Sequence, residues 1–221
     1  MVADHYSICY DCSTMTWDDI ISLLEQGEGQ SVEFEKNIPS EDDIARELVA
    51  FSNADGGKII FGIDDKSKHL IGVETDSGFE GWIRDIGKNH CAPVISPQIE
   101  LFEKAGRKLV ILCVLEGLDK PYKSDEICYI RDGNLSRPAK DNEEKEITNP
   151  WSGKGLNRRQ IRVLQIISEH GSVTNREYRE AFNVSHKTAH LELTLLEDKQ
   201  LVKSEGAGRS TCYILAKPLA Q

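Results

Sequence analysis

The chain has 221 residues, of which 39% are hydrophobic and 29% are charged, a composition typical of soluble globular proteins. No apolar run approaches the roughly 18 residues of a membrane-spanning helix, so we expect no membrane partner. The formal net charge of −10 is uneven, because residues 151–221 carry 11 Lys and Arg against 7 Asp and Glu, whereas residues 1–150 carry 16 against 30. Nucleic acid is held by Lys and Arg at its phosphates, so the acidic body is poorly suited to binding it by charge alone.

Residues 1–15 carry little pattern and are predicted to be an N-terminal tail. They lack a basic region followed by an apolar core, so we expect no signal peptide and a cytoplasmic location. Cys9 and Cys12 are half of a zinc-site pattern, with His5 nearby, but a closed site needs four ligands and no second pair follows. The remaining cysteines lie in or beside strand-like runs and are predicted to be buried free thiols: Cys91, Cys113, Cys128 and Cys212.

The first predicted elements are a helix and a strand. The helix has Thr16 as its N-cap and ends at Gly27. Residues 31–36 alternate polar and apolar side chains, as in a half-buried strand, and this spacing places Glu33 on the polar face.

A second helix is predicted to begin after Ser40, another N-cap, and to be stopped by residues 53–57, whose two glycines permit a turn. The apolar run 59–63 predicts a buried strand that leads to Asp64 at a surface. Helical spacing of apolar residues predicts a third helix over 78–89.

The rest of this region is predicted to consist of strands joined by short turns. Residues 99–101 and 109–114 are predicted to form a hairpin turned at 104–107, and the nearly unbroken apolar second strand is predicted to be central. A further strand is predicted over 127–131. Strands that outnumber helices and follow one another through short turns predict an α+β domain over residues 16–147, with a mixed or antiparallel sheet flanked by helices.

A proline and two glycines predict a linker over residues 148–156. Beyond it, residues 157–217 are predicted to form three helices that begin at Asn157, Thr174 and Ser185, followed by two strands around a glycine-rich turn. Three helices and a hairpin resemble the winged helix-turn-helix domain of many bacterial and archaeal transcription regulators.

In that fold the third helix enters the major groove of DNA through its N-terminal residues, so DNA is the predicted partner. The candidate DNA-binding residues lie on the third helix and on the hairpin: Ser185, Lys187, Thr188, His190, Lys203 and Arg209. Arg158, Arg159 and Arg162, at the start of the first helix, are candidates for phosphate contacts. The alternative is that this domain serves only for interaction or dimerisation.

Several short motifs in the acidic body resemble the Schlafen AlbA-like family, which is also described as a divergent AAA-type or putative DNA-binding domain. They are E-x4-E-F at 28–34, A-F-x-N-x-x-G-G at 50–57, I-x-x-G-I-D-D at 59–65 and Y-x-R-x-G at 129–133. The resemblance covers roughly residues 17–147, and the order and spacing of the motifs carry it.

The resemblance implies a metal-dependent endoribonuclease acting on tRNA or other RNA, as in the Schlafen branch of the family. The matching acidic positions, predicted to be both catalytic residues and ligands of Mg²⁺ or Mn²⁺, are Glu28, Glu33 and Asp64. Residues five apart on a straight strand face opposite ways, so Gly29 would have to bend the chain. Glu35 stands where most members have Lys, and the alternative is a solvated acidic strand face.

Two functions therefore remain open from the sequence. One is a DNA-binding transcriptional regulator whose AlbA-like domain oligomerises or senses, and the other is the endoribonuclease. We expect no nucleotide cofactor, because no G-x4-G-K-[ST] loop is present. A homodimer is predicted, since winged-helix regulators match two half-sites and Schlafen cores contain two such lobes.

Overall fold

The computed structural model describes residues 15–217, apart from the side chain of Arg209. The predicted sites at His5, Cys9 and Cys12 lie outside the described residues. The chain divides into two compact units, with the division between Asn149 and Pro150. In the part of the chain that is described, no helix is both long and apolar enough to cross a membrane.

The first unit is built around a four-stranded sheet with the strand order β1-β2-β6-β5. β1 and β2 are parallel, and the other neighbours are antiparallel, so the prediction of a mixed α+β architecture with a sheet flanked by helices is confirmed. Its elements are α1 (Trp17–Gln26), β1 (Val32–Glu35), α2 (Glu41–Asn53), β2 (Gly56–Phe61), β3 (Ile63–Asp64), β4 (His69–Leu70), α3 (Phe79–Asn89), β5 (Gln98–Lys104), β6 (Arg107–Leu115), β7 (Tyr129–Asp132), β8 (Leu135–Pro138) and α4 (Asp141–Ile147).

The two faces of this sheet are buried by different helices. Ile59 and Phe61 of β2 pack with α2 and α3, whereas Ile60 packs on the opposite face with α1. In β1, Val32 and Phe34 join the α1 side. Because side chains alternate along a strand, the two glutamates of β1 project from the face that α2 covers.

Gly56 and Gly57 do more than turn the chain. Strand β2 begins at Gly56, three residues before the predicted start. Gly56 has the positive φ that the turn prediction implied, 84°, but Gly57 lies within the strand, so the prediction is wrong for Gly57. A Cβ atom on Gly57 would lie 2.4 Å from the ring of Phe51 and 2.5 Å from the carbonyl oxygen of Ser31. The missing side chain therefore lets α2 pack closely against β2.

The second unit contains α5 (Arg158–His170), β9 (Val173–Thr174), α6 (Asn175–Phe182), α7 (His186–Asp198), β10 (Val202–Glu205) and β11 (Cys212–Leu215). Its three strands are antiparallel in the order β10-β11-β9. Asn157, Thr174 and Ser185 cap the helices as predicted, each accepting a backbone N–H three residues on. Trp151, in the segment predicted to be a linker, is buried in the core of this unit.

The cysteines differ from one another in state. Cys91 and Cys128 are buried free thiols, and Cys212 is a half-buried one. Burial raises the pKa of Cys91 to about 12, so this thiol stays protonated at neutral pH. Cys113 is disulfide-bonded, and the prediction of a free thiol is wrong at that position.

Candidate functional site

An open pocket of about 370 Å³ lies where β1 and β3 end at the same side of the first unit. The predicted site residues Glu28 and Asp64 both line it. Glu35 and Asp65 line it as well, beside the side chains of Lys36 and Lys66. The structure therefore brings two of the three predicted acidic residues to one pocket.

Glu28 reaches this pocket because the chain bends immediately after it. The N–H of Gly29 donates to the carbonyl of Val32 at 3.1 Å, which closes a tight turn before β1. The carbonyl of Ser31, within the turn, accepts the N–H of Lys58 at 2.9 Å and ties the turn to β2. The bend at Gly29 that the predicted site required is present.

Glu33, the third predicted residue, does not line the pocket. One of its carboxylate oxygens accepts a hydrogen bond from a guanidinium nitrogen of Arg131 at 2.8 Å. The same nitrogen of Arg131 lies 3.2 Å from a carboxylate oxygen of Glu47 and 3.1 Å from the hydroxyl of Ser136. The Arg131 side chain is 0% exposed and its guanidinium lies 4.5 Å over the ring of Phe51. Arg131, which lies on β7, therefore links the β7–β8 hairpin to β1 through Glu33 and to α2 through Glu47.

The surroundings of Glu33 favour its protonated form. Burial raises the pKa of Glu33 to about 7; the hydrogen bond from Arg131 lowers it and the nearby charge of Glu47 raises it further. Burial, followed by the charges of Glu47 and Glu28, also raises the pKa of Glu35. Glu33 and Glu47 share one guanidinium, so protonation of Glu33 removes the repulsion between two carboxylates at this site.

Asp64 has the opposite electrostatic environment. Its carboxylate forms an ion pair with the ammonium group of Lys36 at 2.9 Å and accepts the backbone N–H of Lys66 at 3.1 Å. The hydrogen bond from Lys36 lowers the pKa of Asp64 to about 2. Asp64 is therefore ionised, with a cationic side chain already beside it.

The predicted metal ligands do not fit a metal ion in this arrangement. Glu33 is bonded to Arg131 and Asp64 is paired with Lys36, so each would have to leave a cationic partner. Across residues 15–217, no three His, Cys, Asp or Glu side chains lie close enough together to hold a metal ion. Glu28, Glu33 and Asp64 are therefore not arranged as ligands of one Mg²⁺ or Mn²⁺ ion.

Half of the basic side chains in the first unit are paired with its own carboxylates. Eight of the 16 Lys and Arg in residues 1–150 lie 3.2 Å or less from an Asp or Glu oxygen: Lys36, Arg46, Lys68, Arg84, Lys120, Lys123, Arg131 and Arg137. Because exposed ion pairs are weak, it is the excess of acidic residues, rather than the pairing, that disfavours phosphate binding by this unit.

The predicted DNA-binding residues of the second unit begin at the N-terminus of α7. Ser185, Lys187 and His190 are exposed, and Thr188 is half-buried. The hydroxyl of Ser185 accepts the N–H of Thr188 at 3.1 Å, and the two hydroxyl oxygens lie 2.9 Å apart. Ser185 and Thr188 therefore cap the helix, and the exposed side chains of Lys187 and His190 remain available for a ligand.

The other two predicted residues lie on and after β10. Lys203 is exposed, and its ammonium group lies 3.1 Å from a carboxylate oxygen of Glu205. The backbone of Arg209 belongs to a short 3-10 turn, Gly208–Ser210, between β10 and β11. Its side chain lies outside the described part of the structure.

A polar centre that the sequence analysis missed joins the three helices of the second unit. Glu192 of α7 accepts hydrogen bonds from Arg159, from the hydroxyl of Tyr178 and, at 3.0 Å, from the amide of Asn157. Burial raises the pKa of Glu192, but these hydrogen bonds together outweigh it and the pKa lies below its usual value. Arg159, predicted to contact phosphates, is thus held by Glu192, and 42% of its side chain remains exposed.

The sequence contains a signal for this centre, because Glu192 stands among the apolar positions of α7, between Ala189 and Leu193, where a charged residue needs a partner. No comparable local signal exists for Arg131, whose carboxylate partner Glu33 is 98 residues away in the chain.

Comparison with known proteins identifies a family and a group of similar solved structures, two of which are described below. Residues 28–140 match the model of the family described as Schlafen, AlbA_2. The DIP2311 protein from Corynebacterium diphtheriae is 19% identical over 76% of this chain and 33% of its own, with a TM-score of 0.45. The N-terminal domain of a putative ATP-dependent DNA helicase RecG-related protein from Nitrosomonas europaea is 18% identical over 56% of this chain and 86% of its own, with a TM-score of 0.42. This chain thus spans a third of the length of DIP2311, and no curated protein sequence matches it.

Proposed function

The chain belongs to the Schlafen AlbA_2 family. We propose that it is a nucleic-acid-binding protein, a transcriptional regulator that binds duplex DNA through its second unit. In this proposal the second unit is a winged helix-turn-helix domain, with α7 as the recognition helix and the β10–β11 hairpin as the wing. The first unit oligomerises the regulator or senses its signal.

The arrangement of α6 and α7 is the observation on which this proposal rests. α6 ends at Phe182, a residue in the left-handed conformation follows at Asn183, and α7 starts three residues later behind its Ser185 cap. A short turn of this kind between two helices is typical of helix-turn-helix proteins. It leaves the N-terminal end of α7, with Lys187 and His190, exposed as a groove-reading helix requires.

Charge supports assigning DNA to the second unit rather than the first. Residues 151–221 have a net charge of +4 and residues 1–150 a net charge of −14. The ion pair between Lys203 and Glu205 is exposed, and exposed pairs contribute only about 0–1 kcal/mol. A phosphate can therefore replace Glu205 as the partner of Lys203 at little cost.

A DNA-binding titration tests the proposal. Duplexes selected from genomic fragments are labelled and titrated with protein at several salt concentrations, using fluorescence anisotropy. We expect Lys187→Ala to weaken binding and to reduce the slope of log K against log salt by about 0.9, the contribution of one phosphate contact. The double variant Lys187→Ala/Arg209→Ala is expected to lose more.

The matched control is Lys145→Ala, which removes the same charge from an exposed position on α4 of the first unit. Lys145→Ala is expected to bind as the unmodified protein does. If Lys187→Ala and Lys145→Ala reduced affinity equally, the effect would reflect net charge alone and α7 would not be the DNA-binding surface.

A further inference from the structure

The outer edge of β5 is an open edge of the main sheet. β5 is the last strand in the order β1-β2-β6-β5, and its seven residues pair with β6 without a bulge. Within residues 15–217, no hydrogen bond joins the backbone groups of β5 to any backbone groups other than those of β6. The N–H of Met15 donates to the side-chain carboxylate of Glu100 at 3.1 Å and leaves the outward peptide groups of β5 unused. Such an edge presents a row of N–H and C=O groups to which another strand can be added.

The neighbours of β6 show which peptide groups of β5 face outward. The carbonyl of Lys108 accepts the N–H of Val73 on the β2 side of β6, so the even-numbered residues of β6 point their peptide groups towards β2. The peptide groups of the odd-numbered residues of β6 therefore face β5. These residues pair with even-numbered residues of β5; Leu109, for example, lies opposite Phe102. The peptide groups of the even-numbered residues of β5 are thus used in pairing with β6. The outward groups of β5 are therefore those of Ile99, Leu101 and Glu103.

The middle of this edge is apolar and exposed. Leu101, the central residue of the seven, is 51% exposed. Ile99 is partly buried against the core, so its side chain holds the strand in place while its peptide group faces outward. Neither Pro nor Gly interrupts the strand between Gln98 and Lys104, and either would protect an edge from pairing.

We propose that this edge binds the same edge of a second copy of the chain, antiparallel and centred on Leu101, so that two four-stranded sheets become one of eight strands. An antiparallel edge is complementary to itself, and a two-fold axis through Leu101 generates the same contacts on both copies. This proposal is independent of the DNA-binding function.

The register centred on Leu101 is the one that uses only residues of β5. It pairs Leu101 with its own copy and each Ile99 with a Glu103, which gives six hydrogen bonds. Moving the centre one residue towards the N-terminus places Pro97, which lies outside β5 and has no N–H, opposite Glu103. Moving it one residue towards the C-terminus places Ala105, in a turn with φ of 52°, opposite Ile99. By symmetry each of these pairs occurs twice, so either shift leaves only two outward-facing pairs that lie wholly within β5.

Charge agrees with this register. It sets Glu100 opposite Phe102 and Lys104 opposite Gln98, so no like charges face each other directly. Lys104 then lies diagonally across from Glu100 of the second copy, within reach of a long side chain. The two Glu100 residues are also diagonal to each other, and the two Lys104–Glu100 contacts offset that single repulsion. A strand of the same sequence is thus a suitable partner for this edge.

The full-length protein is tested by sedimentation velocity and light scattering between 1 and 100 µM. We expect a mass that rises towards twice the 24.8 kDa of one chain. Leu101→Pro should give the single-chain mass throughout, because the lost N–H points outward and pairing with β6 does not use it. Leu101→Thr, which keeps the N–H, should remain a dimer with weaker association.

Leu101→Lys tests the interface even if the proline variant fails to fold. It places two like charges on the two-fold axis without altering the backbone, and it should also give the single-chain mass. Amide exchange at Leu101 should be slow in the dimer and fast in these variants. An unmodified protein that is monomeric at 100 µM, a dimer that persists in Leu101→Lys, or slow exchange at Leu101 in a monomer would each overturn the proposal. The last result would mean that another part of the same chain, such as residues 1–14, covers the edge.

Discussion

Replacing Glu33 with Gln should stabilise the first unit at alkaline pH. Glu33 shares the buried guanidinium of Arg131 with Glu47, and burial raises the pKa of Glu33 to about 7. Gln has the shape of the protonated glutamic acid, so the variant fixes the form that the folded site favours. It also leaves Glu47 as the charged partner of Arg131.

The magnitude follows from the difference between the pKa of about 7 in the folded protein and the ordinary value of 4.5. At 1.36 kcal/mol for each pKa unit, ionising Glu33 costs the folded state about 3 kcal/mol, which solvent access to the carboxylate reduces to about 2 kcal/mol. Between pH 4.5 and 7 the folded state binds more protons than the unfolded state, so stability falls as the pH rises. The loss is absent below pH 4.5 and complete above pH 7, and Glu33→Gln removes it.

Urea unfolding at pH 5 and pH 8 measures this effect. A Trp151→Phe background leaves Trp17 and Trp82, both in the first unit, so that tryptophan fluorescence reports that unit alone. We expect Glu33→Gln to exceed its parent by about 2 kcal/mol in unfolding free energy at pH 8 and to equal it at pH 5. Glu25→Gln, at an exposed position of α1, is the control and should change neither value. A Glu33→Gln protein that is less stable at pH 8, or that keeps the pH dependence of its parent, would refute the reasoning.

Three further substitutions test the packing of the two units. Asn53→Ala removes a side chain that forms hydrogen bonds with the backbone of the loop before β7 and of β7 itself. In the same urea assay it should lower the unfolding free energy of the first unit by about 2–4 kcal/mol. A loss under about 1 kcal/mol would contradict that role. Gly57→Ala should lower the unfolding free energy of the first unit by more than about 3 kcal/mol, because the new Cβ would overlap the ring of Phe51. Gly29→Ala should be nearly neutral, because no atom lies within 4 Å of the position of its Cβ. Similar losses in the two variants would rule out the steric explanation. Glu192→Ala should destabilise the second unit by about 3 kcal/mol, because it leaves an arginine and a tyrosine without their acceptor. Trp151 fluorescence in a Trp17→Phe/Trp82→Phe background reports that unit alone, and an unchanged transition would show that this centre is dispensable.

The elements that the sequence predicted well are those fixed by local chemistry. The caps at Thr16, Ser40 and Thr174 each depend on a partner three residues away, and all three are formed. The central position of β6 followed from its apolar run, because a strand with neighbours on both sides is buried on both faces. The turn glycine Gly57 was misassigned because its neighbour, the ring of Phe51, is set by how α2 packs on the sheet.

The candidate site was predictable only in part for the same reason. Family motifs placed Glu28 and Asp64 in one site, and both line one pocket. Glu33 was expected beside them, but its position depends on Arg131, which enters from a hairpin far along the chain. Likewise, Asp64 is paired with Lys36, a contact between the ends of two strands that no spacing rule supplies.

The Arg131 contact also constrains the order of events on the ribosome. Glu33 and Glu47 emerge early, whereas the guanidinium that neutralises them is added 98 and 84 residues later. Until then, β1 and α2 bring two carboxylates together without a cation between them. The N-terminal third of the nascent chain therefore lacks the stabilisation that the ion pairs with Arg131 provide. The Arg131 contacts of this unit can therefore form only after the β7–β8 hairpin has left the exit tunnel.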